Sequence, residues 1–266
     1  MSNATMEGIS CMSNYNLDKI LNTVINADCV EAMKKIEDNS IDVIFADPPY
    51  NLQLGDALKR PDNTDVKGVY EEWDSFESIA EYDRYTKAWM TEARRILKED
   101  GTIWVIGSYH NIFRVGYIMQ DLGFWILNDI IWNKTNPIPM TNNVWLSDIE
   151  YCLWFGSSNT QLNDGYEFKS KWYTSAINKK DKDKFSHPTI KPLELVKRHL
   201  QHTTQKGDIV LDCFSGSGTT CVAAKELGRQ FIGIEIDPKY HEISMDRLNG
   251  MLANGQISFD TDTSKL

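Results

Sequence analysis

The chain has 266 residues, of which 41% are hydrophobic and 25% charged, a length that suits one large domain rather than a small stapled fold. It contains no run of about 18 apolar residues, which excludes a membrane-spanning helix. Its five cysteines form no C-x-x-C pair and no metal-ligand spacing. We therefore expect a cytoplasmic protein with reduced thiols, no metal site and no membrane partner.

The charge distribution is uneven along the chain. The 28 Lys and Arg against 38 Asp and Glu give a net charge of −10, which by itself argues against a nucleic-acid partner. Gly165 to Lys206, however, contains ten basic and four acidic residues, so this segment carries +6 and the rest of the chain −16. The segment can contact a polyanion on one face, and a solvated lysine-rich loop explains it equally well.

Short β-branched runs alternate with helical periodicity, a pattern typical of crossover units on a parallel sheet. The predicted strands are Val24 to Asn26, Val43 to Ala46, Thr102 to Gly107, Ile126 to Trp132, Ile149 to Phe155, Ile209 to Asp212 and Phe231 to Glu235. The predicted helices are Tyr82 to Leu97, Ile112 to Leu122, Leu193 to His202, Thr219 to Leu227 and Pro238 to Leu252. We expect an α/β fold with a doubly wound, mostly parallel sheet.

The domain organisation is simple. Residues 16–254 are predicted to form a single domain, interrupted by a long irregular insert from Asn136 to Ser186. The polar ends, Met1 to Tyr15 and Gly255 to Leu266, are expected to be flexible.

The tetrapeptide Asp47-Pro48-Pro49-Tyr50 follows the second predicted strand. Ligands of open parallel sheets bind outside the carboxyl ends of the strands. Two consecutive prolines remove two backbone donors, so the turn offers mainly acceptors, to which Asp47 adds a carboxylate and Tyr50 an aromatic face. This arrangement suits an exocyclic amino group on a stacked ring, and the less favoured alternative is a rigid turn at a strand end flanked by chance polar residues.

A second motif follows the strand that ends at Asp212. It runs through Phe214, Gly216, Ser217, Gly218, Thr219 and Thr220 into a helix. Cys221 stands where the dinucleotide fingerprint has its third glycine, which disfavours a nicotinamide or flavin cofactor. Glu235, at the end of the next strand, can accept hydrogen bonds from ribose hydroxyls. A nucleoside cofactor without pyrophosphate fits, and S-adenosyl-L-methionine is the obvious candidate, against the alternative of a merely structural turn.

The order of these motifs resembles the circularly permuted β class of amino-group DNA methyltransferases, in particular the HinfI-like, cell-cycle-regulated adenine-N6 family. The similarity also covers Ala46 to Leu54, Trp73 to Phe76 and Gly101 to Asn136, within Val24 to Asn249 overall. The resemblance implies a site-specific methyltransferase of the S-adenosylmethionine-dependent fold that acts on a flipped-out adenine in DNA. It is consistent with a homodimer and with a role in restriction-modification.

The resemblance also implies further site residues. Asp28 and Cys29 match the family's segment near the cofactor adenine, although Asp28 can equally cap a helix. His187, Thr189 and Lys191 match its cofactor-lining His-Pro-Thr-x-Lys-Pro loop. The catalytic motif corresponds to Asp47, Pro48, Pro49 and Tyr50.

DNA contact is assigned to the basic insert. The residues expected to contact phosphates or stack on bases are Lys169, Lys171, Trp172, Tyr173, Lys179, Lys180, Lys182 and Lys184. The insert diverges from the family between Met140 and Lys184, and the chain ends soon after Leu252, where the cell-cycle-regulated members have a DNA-contacting domain. The sequence therefore identifies neither a recognition sequence nor a restriction enzyme partner.

Four alternatives remain open. Cytosine-N4 methyltransferases share the chemistry but usually carry serine where this chain has Asp47. An RNA methyltransferase is disfavoured by the motif order, and a binding module without activity by the intact Asp47 and Glu235 motifs. A methyltransferase acting on small molecules or proteins is disfavoured weakly by the lysine-rich insert.

Overall fold

Eight strands within the described residues form one mixed sheet. The computed structural model describes residues 14–51, 74–137, 145–160, 162–163, 170–177 and 190–250. The strands are β1 (Thr23–Asn26), β2 (Ile41–Ala46), β3 (Leu97–Gly107), β4 (Trp125–Lys134), β5 (Ile149–Gly156), β6 (Trp172–Ser175), β7 (Ile209–Asp212) and β8 (Gln230–Glu235). Their order in the sheet is β1-β8-β7-β2-β3-β5-β4-β6. The helices are α1 (Leu17–Ile20), α2 (Cys29–Met33), α3 (Ile79–Ile96), α4 (Ile112–Asp121), α5 (Leu193–Thr203), α6 (Thr219–Glu226) and α7 (Pro238–Leu248).

The strand directions place the carboxyl ends of seven of the eight described strands at one edge, and β5 runs the opposite way. Strands β1, β8, β7, β2 and β3 are parallel to one another. Strand β5 is antiparallel to both β3 and β4, and β6 is parallel to β4. The first residues of β5 therefore lie at the same edge as the last residues of β2, β7 and β8.

Successive side chains of the central strands point to opposite faces of the sheet, so a hydrophobic core forms on each face. In β2, Ile44 and Ala46 pack in one buried cluster, with residues of α2, α3 and α4. Val43 and Phe45 of the same strand pack in a second cluster, with residues of α5 and α6. The expected doubly wound architecture, with helices on both faces of a mostly parallel sheet, is confirmed.

Several element ends differ from the sequence prediction. Helix α3 begins at Ile79 rather than at Tyr82, because the Ser78 side chain caps it by accepting the Glu81 N–H at 3.1 Å. Leu97, predicted as helical, is extended and begins β3. Helix α7 ends at Leu248 rather than at Leu252, just before Gly250, whose φ of +74° stops the helix.

Three short elements are not predicted from the hydrophobic periodicity of the sequence. Helices α1 and α2 span only four and five residues, too few for a helical period to show. Strand β6 lies inside the insert that is predicted to be irregular, and it pairs with β4. None of the helices in the described parts of the chain has both the length and the apolar composition needed to span a bilayer.

His199 of α5 is a buried polar residue in the second core cluster. Its ring packs edge-on against Trp104 at 4.5 Å between centroids, and its Nδ1 lies 2.6 Å from the Leu195 carbonyl oxygen. Its side chain is 2% exposed, and burial lowers the pKa of His199 to about 4. The folded protein therefore holds this imidazole neutral at pH values where the unfolded chain protonates it.

We predict that His199 makes folding pH-dependent. Because the folded pKa lies below the unfolded value of about 6.5, the unfolded state binds more protons as the pH falls between the two values, so stability is lost there. Relative to His199→Phe, the wild-type free energy of unfolding should fall by about 2 kcal/mol between pH 7.5 and pH 5 in urea titrations. Parallel pH profiles for the two proteins would contradict this assignment.

Candidate active site

A cavity of about 300 Å³ opens at the carboxyl edge of the sheet. It is bordered by the segments that follow β1, β2, β7 and β8. The predicted site residues that line it are Asp28, Cys29, Asp47, Pro49, Lys191, Asp212, Phe214, Gly216, Ser217, Thr219, Thr220 and Glu235. The two motifs, separated by more than 160 residues in the sequence, therefore share one site.

Not every predicted site residue lines this cavity. Gly218 instead caps α6 with a φ of +78°, where an added Cβ would lie 3.0 Å from that of Ser244. This glycine therefore allows α6 and α7 to pack closely. Pro48 and Tyr50 belong to the turn Asp47–Tyr50, here called the catalytic turn after its predicted role, which lies beside the cavity. His187 and Thr189 lie outside the described residues.

The glycine turn is fixed by Glu235 and by α7. The two carboxylate oxygens of Glu235 accept the Gly216 N–H at 2.6 Å and the Asp237 N–H at 2.8 Å. Arg247 of α7 donates to the Ser217 carbonyl at 3.2 Å and to Thr219 Oγ1 at 2.9 Å. These contacts hold the backbone of the turn open toward the cavity.

The cavity is rich in carboxyl groups. Asp212 is buried, accepts the Phe214 N–H at 3.1 Å, and has its pKa raised to about 7 by burial. Burial also raises the pKa of Glu235 and of Asp47. A ligand that brings hydroxyl or amino donors and a positive charge would offset this desolvation. Asp28, as the sequence left open, also caps α2 by accepting the Glu31 N–H at 3.1 Å.

The catalytic turn is held from behind by two residues that the sequence alone did not single out for this role. Asp74 Oδ1 accepts the backbone N–H groups of Tyr50 at 2.6 Å and Asn51 at 2.8 Å. The Tyr82 hydroxyl donates to the Pro49 carbonyl at 3.0 Å. No described residue donates to the Pro48 carbonyl, which leaves it available as an acceptor.

Asp47 belongs to a partly buried network of charges. Lys191 Nζ donates to Asp47 Oδ2 at 2.7 Å, and the Tyr50 hydroxyl lies 3.0 Å from Asp47 Oδ1. The same hydroxyl lies 3.2 Å from Glu150 Oε2, and Lys134 Nζ is 3.4 Å from Glu150 Oε1. Two ammonium groups and two carboxylates thus make the cluster neutral overall.

Burial and the surrounding charges determine the protonation states of Lys191 and Tyr50. Although burial opposes the charge on Lys191, Asp47 and Glu150 raise the pKa of its ammonium group, so it remains protonated. Burial and the same two carboxylates raise the pKa of Tyr50 well above its usual value, so its hydroxyl is a hydrogen-bond donor. Lys191, predicted as a cofactor residue, thus also pairs with Asp47, the carboxylate that is predicted to be catalytic.

Glu150 and Lys134 are functional candidates that the sequence analysis missed. Glu150 is the second residue of antiparallel β5 and Lys134 is the last residue of β4, so both lie at the active-site edge. Their positions in the sequence gave a signal, since each lies at the end of a strand. Only the direction of β5, however, brings Glu150 to Asp47.

Part of the predicted DNA-contacting set is described. Lys171 pairs with Asp129, Trp172 is 52% exposed, and Tyr173 lies under the guanidinium of Arg198. Strand β6 thus presents basic and aromatic groups beside β4. The other members of the set, Lys169, Lys179, Lys180, Lys182 and Lys184, lie outside the described residues.

Comparisons with known proteins agree with this geometry. A family model described as DNA methylase matches residues 41–246. The chain is 41% identical to the Type II methyltransferase M.HinfI of Haemophilus influenzae, over 91% of this chain and 72% of that protein. It is 37% identical to the Type II methyltransferase M2.DpnII of Streptococcus pneumoniae, over 88% of this chain and 91% of that protein.

Solved structures share the fold. The M1.HpyAVI–SAM complex superposes with a TM-score of 0.65 and 26% identity, over 85% of this chain and 98% of that one. The cytosine-N4-specific PvuII DNA methyltransferase also gives a TM-score of 0.65, at 18% identity over 88% of this chain and 93% of that one. The second likeness concerns the fold alone.

We predict that Lys191→Met adds a pH-dependent loss of folding stability. Without the ammonium group the pKa of Asp47 rises further, so the folded state binds more protons than the unfolded state, whose aspartate pKa is about 3.9. Stability is then lost as the pH rises through the folded pKa. Urea unfolding should show a loss of roughly 3 kcal/mol at pH 8 and a smaller loss at pH 5.

The matched control is Lys171→Met, which removes an ammonium group from an exposed ion pair with Asp129. Its effect should stay below about 1 kcal/mol at both pH values. Equal losses at pH 5 and pH 8 in Lys191→Met would contradict the proposed pairing.

Proposed function

The chain belongs to the DNA methylase family, and we propose that it transfers a methyl group from S-adenosyl-L-methionine to the N6 amino group of a specific adenine in DNA. The observation that carries this proposal is the single site formed by Asp47 and Glu235. One end of the cavity offers the carboxylate and carbonyl acceptors that an amino group needs, and the other offers a glycine turn and an acidic residue suited to a nucleoside. The aspartate at position 47 favours adenine over cytosine.

The cofactor half of the cavity fits S-adenosylmethionine. Glu235 has lone pairs beyond its two backbone bonds with which to accept ribose hydroxyls. Asp28 follows β1, the strand paired with β8, and also lines the cavity, and the ring of Phe214 offers an apolar surface. Carboxyl groups around the cavity complement the positive charge of a sulfonium, which supplies the activated methyl group when the cofactor is bound.

The substrate half of the site activates a poor nucleophile. The lone pair of the adenine amino group is delocalised into the ring, and hydrogen bonds from that group to the Asp47 carboxylate and the Pro48 carbonyl localise it. Because positive charge develops on nitrogen during transfer, these acceptors stabilise the transition state more than the ground state. Asp47 acts as an ionised acceptor in this mechanism: burial raises its pKa, and the Lys191 ammonium group that donates to it opposes that rise.

Access to the amino group requires the base to leave the duplex. Unstacking costs a few kcal/mol, which stacking on the Tyr50 ring in the site would offset. The rigid turn, fixed by Asp74 and Tyr82, holds Tyr50 and Pro48 in the relative positions that this stacking needs. Alignment of the amino nitrogen with the methyl donor supplies the remaining acceleration.

We propose that the basic insert holds the DNA. Exposed Trp172 and Lys171 of the β6 region lie next to β4, whose last residue contacts the active-site network. Lys169, Lys179, Lys180, Lys182 and Lys184 extend the same basic segment. Neutralised phosphates release counterions, so binding by these lysines must weaken steeply with salt.

The proposed role of Asp47 can be tested by substitution. Asp47→Ala should retain S-adenosylmethionine affinity within about threefold, because the cofactor half of the site is intact, and should lower turnover by at least about a thousandfold, because the amino group loses its charged acceptor. Isothermal titration and single-turnover methylation measure the two quantities. Asp47→Asn, which preserves shape but not charge, should also be impaired, and turnover near wild type in either variant would contradict the mechanism.

The proposed role of the basic insert can be tested through the salt dependence of DNA binding. Replacing Lys179, Lys180 and Lys182 with alanine should weaken DNA binding and reduce the slope of log Kd against log salt by roughly 0.9 for each lost phosphate contact. The control replaces Lys19, Lys34 and Lys35, which lie on or after α1 and α2, away from the cavity. An unchanged slope in the insert variant would show that its lysines only solubilise the surface.

A further inference from the structure

The Tyr50 hydroxyl lies between two carboxylates. It is 3.0 Å from Asp47 Oδ1 and 3.2 Å from Glu150 Oε2, both within hydrogen-bond distance. A hydroxyl carries a single proton, so it donates fully to only one of them at a time. The two acceptors are close enough to equidistant that rotation about the C–O bond is sufficient to exchange them.

In the structure Asp47 already accepts strong hydrogen bonds on both oxygens. Lys191 occupies Oδ2 at 2.7 Å and the Tyr50 hydroxyl approaches Oδ1. The carboxylate has further lone pairs, but each bond that it already accepts draws negative charge away from the amino group that it must polarise. The reaction therefore benefits if one of these donors turns away when the substrate arrives.

Glu150 is placed to receive that donor. Its side chain is 13% exposed, and it is held by Lys134 at 3.4 Å and by Lys191 at 3.9 Å. These contacts fix a charged acceptor beside the hydroxyl, on a strand that is independent of the catalytic turn. Because the two ammonium groups balance both carboxylates, neither has to be protonated for the exchange.

We propose that Glu150 is a positioning residue that takes the Tyr50 hydroxyl hydrogen bond from Asp47 when the substrate amino group approaches Asp47 Oδ1. This inference rests on the proposed function. No covalent bond changes, and no proton leaves Tyr50. The exchange frees one oxygen of Asp47 for the amino group and anchors the Tyr50 ring, through its hydroxyl, in the position where the base stacks.

The exchange has a distinctive consequence, because the proposed contribution of Glu150 to turnover passes through the Tyr50 hydroxyl. When glutamine replaces Glu150, the hydroxyl keeps donating to the charged Asp47 in preference to a neutral amide. When phenylalanine replaces Tyr50, no hydroxyl competes for Asp47, so the identity of residue 150 no longer matters. A role of Glu150 in general electrostatics or in folding would instead persist in both backgrounds.

The test is a double-mutant cycle of wild type, Glu150→Gln, Tyr50→Phe and the double variant. Single-turnover methylation at saturating DNA and cofactor should be about tenfold slower in Glu150→Gln than in wild type, with the KM for DNA within about twofold. In the Tyr50→Phe background, the same substitution should change the rate by less than about twofold. Additive effects in the two backgrounds would overturn the proposal.

A second variant keeps the proposal testable if Glu150→Gln does not fold. Glu150→Asp keeps the charge opposite Lys134 and Lys191 but is too short to reach the hydroxyl, so it should slow single turnover as Glu150→Gln does. A wild-type rate in Glu150→Asp would also overturn the proposal. Failure of the proposed function itself is distinguishable, because the wild-type protein would then form no N6-methyladenine.

Discussion

The active site depends on keeping one partly buried carboxylate ionised. Burial raises the pKa of Asp47 and so disfavours its charge, and the Lys191 ammonium group at 2.7 Å opposes that effect. Without that pairing Asp47 would tend toward its protonated form and would lose part of its strength as an acceptor. In the proposed mechanism, the rigid turn, the partly buried network and the neighbouring cavity serve catalysis only if this charge is present.

Sheet topology explains how distant parts of the chain supply this pairing. Asp47 follows β2, Lys191 precedes α5, and Glu150 begins β5, yet all three meet at one edge. The antiparallel orientation of β5 is essential, because it brings the beginning of a strand to an edge otherwise formed by strand ends. Charged side chains, as well as the backbone, therefore join the Asp47–Tyr50 turn to the insert.

The sequence predicts the long elements and both motifs because hydrophobic alternation and turn chemistry are local properties. It does not predict α2 or β6, which are too short to show a period, nor the end of α3, where Leu97 is already extended. Within the site it identifies Asp47 and Glu235 from their positions after strands. It misses Glu150 because strand direction is a tertiary property that no local pattern records.

The most direct measurement is to incubate the protein with labelled S-adenosylmethionine and unmethylated genomic DNA, in duplex and heat-denatured form, and to identify the modified nucleoside after digestion. The account predicts label in N6-methyladenine, at sites that share one sequence. Label in N4-methylcytosine would preserve the fold and the cofactor but contradict the assignment of Asp47 to an adenine amino group. No label in either DNA, despite cofactor binding, would contradict DNA methylation itself.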